Sequence, residues 1–101
     1  MRKSDKKLDN QIRIALTTLC EESLKDLAGF CWITHTVNFQ KFPQSLHITC
    51  VFEDTNALFN FTNSEHLHSV RSQIAQTLKQ LNINTAAIKE CVTFVTKQEA
   101  P

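Results

Sequence analysis

The stretch from Phe30 to Glu53, FCWITHTVNFQKFPQSLHITCVFE, decides the fold of this chain. It contains two runs in which apolar and polar residues alternate, separated by a polar loop over residues 40–45. Alternation with a period of two is the spacing of a β-strand that buries one face. We therefore predict strands over residues 30–39 and 46–53, joined as an antiparallel hairpin.

The same alternation predicts the register of the hairpin. If Phe39 pairs with Leu46, then His35 lies opposite Cys50 and the apolar faces of both strands coincide, whereas a slip by one residue would separate them. The predicted apolar face consists of Cys31, Ile33, His35, Val37, Phe39, Leu46, Ile48, Cys50 and Phe52. The predicted opposite face consists of Trp32, Thr34, Thr36, Asn38, His47, Thr49, Val51 and Glu53.

A helix is predicted before the hairpin. Apolar residues recur at threes and fours from Lys6 to Leu27, which is the spacing of one buried helical face. Ser4 or Asp5 can cap its start, and Gly29, the only glycine of the chain, stands where a left-handed C-terminal cap belongs.

Beyond the hairpin, residues 54–61 are interpreted as a transition, a short helical turn or a loop. Thr62 and Glu65 then have the spacing of a capping box, which predicts a second helix from Thr62 to about Leu81. Residues 87–96 are rich in β-branched side chains and predict a third strand. The sequence thus predicts an α+β fold, a two-layer α-β-β-α-β domain whose three-stranded sheet carries both helices on one face.

Composition limits the possible classes of protein. A chain of 101 residues with 42% apolar residues predicts one domain, with a core over residues 6–97 and flexible ends at 1–5 and 98–101. The net charge of +1 excludes a globally basic protein, so any argument from charge must be local. Neither a secretory signal nor a membrane span is evident, and we expect a cytoplasmic protein with no membrane partner.

The residues that could carry chemistry predict neither an enzyme nor a cofactor. The four cysteines form no CxxC pair and are interpreted as buried, reduced thiols. His66 and His68 are two residues apart on a predicted helix and would not face one metal ion. The predicted neighbours His35 and Cys50 could activate a thiol, but a chain with one glycine lacks a tight turn for an oxyanion site and has no glycine-rich phosphate loop.

Two surfaces remain as candidate binding sites. The first is the basic cluster of Arg2, Lys3, Lys6 and Lys7, which Arg13 extends along the first helix; it could hold phosphates, or it could be a solvated, frayed end. The second is the outer sheet face with Trp32 and Val51, together with the Phe42-Pro43 loop. That face could stack on a nucleobase, meet a second copy or another protein, or lie under the first helix or a terminus.

The element order resembles that of the ribosome-binding factor A family, small bacterial proteins with a type II KH-like domain. The resemblance is carried by Gly29-Phe30 before the first strand, Phe52-Glu53-Asp54 at the end of the second, and the run Val92 to Val95 as the third. It implies a KH-like fold and a ribosomal role. KH domains bind nucleic acid at a GxxG loop between two helices; residues 62–84 contain no glycine, which predicts an unbroken helix and transfers no KH residue.

We therefore expect a non-enzymatic protein that binds structured RNA or the ribosome through the basic cluster. The alternative is a homodimeric or protein-interaction domain that uses the face around Trp32, Val51 and Phe42. A small-molecule carrier with a pocket between the second helix and the sheet is a third possibility.

Overall fold

The computed structural model describes residues 3–42, 44–83 and 91–100. The elements in chain order are α1 (Lys3–Leu19) with a π-helical extension (Cys20–Leu24), β1 (Phe30–Thr36), a 3-10 turn (Phe39–Lys41), β2 (His47–Phe52), α2 (Thr55–Thr62), α3 (His66–Gln80) and β3 (Val92–Thr96). The predicted α+β class is confirmed. Within the described residues, three α-helices stand where two were predicted.

The sheet has the order β1-β2-β3, with β2 in the centre. β1 runs antiparallel to β2, whereas β3 runs parallel to it because α2 and α3 carry the chain back to the starting edge. The third strand is shorter than predicted, and the part of that prediction over residues 87–90 lies outside the described residues.

The predicted hairpin register is wrong by two residues. Ile33 lies opposite Cys50, and His35 lies opposite Ile48. The pairing stops at Thr36 and His47 because the chain turns into the 3-10 segment, where Ser45 Oγ accepts a hydrogen bond from the Asn38 amide at 2.9 Å. A shift of two residues keeps the side chains from Trp32 onward on their predicted faces, so the core is unaffected there. A β-bulge between Phe30 and Trp32 adds a further irregularity.

The core lies between the sheet and the helices. Ile48, Cys50 and Phe52 of β2 are fully buried against side chains from the helices. Those helical side chains are Ile12, Leu16, Leu24, Phe61, Val70, Ile74 and Leu78. The rings of Phe30, Phe52, Phe61 and Phe94 form a continuous series with centroids 4.7 to 5.7 Å apart.

The first helix begins earlier and ends earlier than predicted. Ser4 and Asp5 lie inside α1 and do not cap it, and the helical segment ends at Leu24. The left-handed conformation expected at Gly29 is confirmed by its φ of +77°, but this residue directly precedes β1 and is not a helix cap. A Cβ atom at Gly29 would overlap the Cβ atom of Ala57, so glycine is needed here for close approach as well.

The prediction of one unbroken helix after residue 62 is wrong. Thr62 is the last residue of α2, and its hydroxyl donates to the carbonyl of Phe59 instead of capping a new helix. Asp54 caps α2 by accepting a hydrogen bond from the Ala57 amide at 2.9 Å. At the start of α3, Ser64 Oγ accepts from the His66 amide, while Glu65 makes no side-chain cap bond. The break between α2 and α3 therefore occurs without a glycine.

Candidate functional site

The solvent side of α1 carries four basic residues, Lys3, Lys6, Lys7 and Arg13, all exposed. We call these four side chains the basic face. The two acidic residues of α1, Asp5 and Asp9, point toward the rest of the protein and are half-buried. This separation follows from the helical period, because residues 5, 9, 12 and 16 share the inner side of α1. Arg2, the fifth residue of the predicted cluster, lies outside the described residues.

The inner carboxylate of Asp9 has a partner that holds α1 on the sheet. Asp9 Oδ1 lies 2.8 Å from His35 Nε2 on β1. Because this contact fixes the rotation of α1 about its axis, it also fixes the direction of the basic face. Among the residues that the structure describes, Arg13 has one side-chain partner, Asn10, at the long distance of 3.5 Å, which leaves donors of the guanidinium for a ligand.

The basic face extends into a cleft between α1 and β1. The cleft has a volume of about 340 Å³. Its lining residues are Arg13, Leu16, Thr17, Ile33, Thr34 and His35. Thr34 belongs both to this cleft and to the outer side of the sheet, so the two candidate surfaces meet at the β1 edge.

The outer side of the sheet, which we call the open face, has no described helix packed on it. Cross-strand pairing places its side chains in rows: Trp32, Val51 and Val95; Thr34, Thr49 and Thr93; Thr36 and His47. His47 Nε2 and Thr93 Oγ1 are 2.8 Å apart. Trp32 is 41% exposed, in agreement with the prediction of an exposed tryptophan.

Val51 does not form part of an exposed surface, contrary to prediction. Its exposed fraction is 0%. It lies on the central strand, with Trp32 of β1 on one side and Val95 of β3 on the other. Phe42 is half-buried, with its ring stacked on Phe39 at 5.5 Å between centroids, and Pro43 lies outside the described residues. Of the three residues predicted for this interaction surface, only Trp32 is exposed.

One end of the open face is closed by an ion pair and a thiol. Lys97 Nζ lies 3.1 Å from Glu53 Oε2, and the Cys31 thiol donates to the same oxygen at 3.4 Å. The hydrogen bonds from Lys97 and then Cys31 lower the pKa of Glu53. Desolvation, followed by the hydrogen bond to Glu53, raises the pKa of Cys31. Lys97 is therefore already paired, and Cys31 is a weak nucleophile at neutral pH.

The thiols are less uniformly buried than predicted. All four cysteines are free, but only Cys50 is buried, while Cys20, Cys31 and Cys91 are half-buried. Burial raises the pKa of Cys50 to about 12. Because the observed register places Ile33 opposite Cys50, the predicted pairing with His35 is absent, and the mechanism by which an imidazole would activate this thiol does not apply.

A larger groove lies beside α2 and α3. It has a volume of about 480 Å³ and runs between residues 23–28 and the α2–α3 pair. Its polar lining residues are Ser23, Asp26, Asn60, Ser64, His66, Ser69 and Gln73. Neither lysine nor arginine lines it, and Asp26 contributes a carboxylate, so the groove is a poor site for phosphate. Sequence reasoning missed it because it depends on the break between α2 and α3.

The comparisons with known proteins assign no relative. No protein family, curated protein or solved structure matches this chain. Within residues 3–42, 44–83 and 91–100, no cluster of three potential metal ligands is present, and no helix is long and apolar enough to cross a membrane. The functional argument therefore rests on the surfaces of this chain alone.

Proposed function

We propose that this protein binds structured RNA, with ribosomal RNA as the first candidate, through the basic face of α1. The observation that carries the proposal is the separation of charge on this helix: its basic residues are exposed and its acidic residues are turned inward. A surface on which lysine and arginine are more exposed than the neighbouring carboxylates attracts a polyanion, and binding is strengthened by the release of counterions.

The length of the basic face suits a phosphate chain. Lys3 and Arg13 are ten residues apart, which corresponds to about 15 Å along a helix. Because α1 is docked on the sheet through Asp9 and His35, these side chains project from a fixed support. The basic groups are thus spread over several phosphates and do not compete for one.

The resemblance to the ribosome-binding factor A family adds a second, weaker support. That family uses a kinked helix pair with a small residue and a glycine where KH domains have their GxxG loop; here α2 and α3 form a pair that breaks at residues 63–65, but without a glycine. The ribosomal part of the proposal rests on this likeness of layout.

The alternative of a homodimeric or protein-interaction domain has less support. Val51 is buried and Phe42 is packed on Phe39, so Trp32 is left as the exposed anchor. Strand spacing and length give the open face a footprint of about 14 by 17 Å. A stable interface needs about 800 Å² per partner, so this face alone is too small.

The test is the salt dependence of RNA binding in a charge-matched pair of variants. Lys6→Ala/Lys7→Ala removes two charges from the basic face, and Lys25→Ala/Lys79→Ala removes two exposed lysines elsewhere. We expect the first variant to lower the slope of log affinity against log salt by about 1.5, because each phosphate contact contributes about 0.7 to 0.9. The measurement is a fluorescence-anisotropy titration with a labelled ribosomal RNA fragment.

The control variant is expected to retain the slope of the parent protein. Equal losses in the two variants would mean that net charge, and not the basic face, drives binding. Failure of the parent protein to bind at low salt would refute the proposed function. Alanine favours helix, so loss of α1 would not explain a weaker complex.

A further inference from the structure

We infer that the RNA is single-stranded where it leaves the basic face, with one phosphate held by Arg13 and the neighbouring base stacked on Trp32. This inference rests on the proposed function and narrows its ligand to RNA with an unpaired segment. The inferred binding path joins the basic face to the open face at the β1 edge.

A continuous path connects the two contacts. Arg13 and Thr17 of α1 line the same cleft as Thr34 of β1. Thr34 and Trp32 are two residues apart on one strand, so their side chains share the open face at a separation of about 7 Å. A chain that follows α1 to Arg13 therefore reaches the tryptophan ring by crossing Thr34.

The chemistry of the path suits a nucleotide. Trp32 is 41% exposed, so its ring can be reached by a base, and its row is completed by the buried Val51 and the half-buried Val95. The next row consists of Thr34, Thr49 and Thr93; the hydroxyl of Thr34 is exposed and can donate or accept a hydrogen bond with a base edge or ribose, whereas that of Thr93 is bonded to His47. Stacking on aromatic side chains is the common means of holding unpaired bases, whereas the bases of a duplex are already stacked.

Two carboxylates lie near this path, and both have partners. Asp9 is hydrogen-bonded to His35, which itself lines the cleft, and Glu53 forms an ion pair with Lys97. The residues that line the cleft include Arg13 and no acidic side chain.

The chain contains its own reporter for this contact. Trp32 is the only tryptophan and there is no tyrosine, so the intrinsic emission excited at the tryptophan band comes from this ring alone. We expect a single-stranded oligoadenylate of about eight nucleotides to quench this emission as it binds. A perfectly paired RNA duplex is expected to leave it nearly unchanged while still binding to the basic face.

Two variants separate stacking from general surface effects. Trp32→Ala is expected to weaken binding of oligoadenylate on the order of tenfold, with little effect on the duplex, and Trp32→Phe to recover most of the loss. Phe59→Ala is the matched control, because Phe59 is an exposed aromatic residue on α2, with an exposed fraction of 65%, outside the path. Arg13→Ala should reduce the salt slope by about 1 with oligoadenylate.

The outcomes distinguish this inference from the function on which it rests. Binding that depends on Lys6 and Lys7 but leaves the emission of the parent protein unchanged would refute the stacking contact and keep the proposed function. Absence of binding to any RNA at low salt would refute both. The quenching measurement on the parent protein needs no variant, so a folding defect in Trp32→Ala cannot obscure the result.

Discussion

At the scale of the residue, Gly29 is the position with the least freedom to change. Its φ of +77° strains any side chain, and a Cβ atom there would overlap Ala57. We expect Gly29→Ala to reduce the free energy of unfolding by about 2 kcal/mol or more. Urea denaturation measures this directly. In Gly29→Ala/Ala57→Gly the overlap is removed and the backbone strain remains, so the double variant should lose less than the sum of the single variants; simple additivity would contradict the packing explanation.

Because of Cys50, we expect the free energy of unfolding to decline at alkaline pH. Its pKa is raised to about 12 by burial, so the folded thiol stays protonated while the unfolded thiol ionises above its ordinary value of 9.0. Proton loss on unfolding then favours the unfolded chain as the pH rises from about 9 to 12. We expect the free energy of unfolding to fall by about 1 kcal/mol per pH unit in this window through Cys50.

The measurement is urea denaturation of the parent protein and of Cys50→Ala at pH 8 and above. The variant is less stable at neutral pH because of the cavity, but its stability should decline less steeply in alkali. Parallel curves for the two proteins would show that Cys50 is not the titrating group; the half-buried Cys20 and Cys31, whose pKa values are also raised, would then account for the slope.

At the scale of the element, the α2–α3 pair depends on capping residues whose positions the sequence does not predict uniquely. Asp54 accepts the Ala57 amide at the start of α2, whereas Glu65, a member of the predicted capping box, makes no cap bond. We expect Asp54→Ala to lower the free energy of unfolding by about 1 kcal/mol. Glu65→Ala is the matched control and should be close to neutral in the same urea titration. A larger effect at Glu65 would favour the capping box over the observed helix boundaries.

The elements show which features of the fold are readable from sequence. Alternation over residues 30–53 correctly predicts two strands and their faces, because burial imposes a period of two. It cannot predict the register, which here depends on bonds between Asn38 and Ser45 in the loop. In the same way the apolar stripe of α3 is predicted, but the break before it depends on local bonds of Ser64 and Thr62 that other residues could also have made.

At the scale of the whole molecule, a net charge of +1 conceals an uneven distribution. The basic residues of α1 are evident in the sequence, yet their use as a surface depends on the inward direction of Asp5 and Asp9, which only the docking of α1 on the sheet decides. The cleft at Arg13 and Thr34 could not be predicted from the sequence either, since residues from separate elements form it. Burial of Val51 depends on neighbours from two strands.

The parallel pairing of β3 also determines the order in which the molecule can form. Formation of the β1–β2 hairpin closes a short loop. The pairing of Ile48 with Val92 closes a longer loop, because α2 and α3 lie between these two residues in the chain. Closing the longer loop costs more chain entropy, and contacts of large sequence separation slow folding. Until that closure, one edge of the central strand lacks its neighbour and can pair with another chain. The pairing of β3 thus completes the fold, and the nascent protein is most prone to misassembly just before β3 pairs with β2.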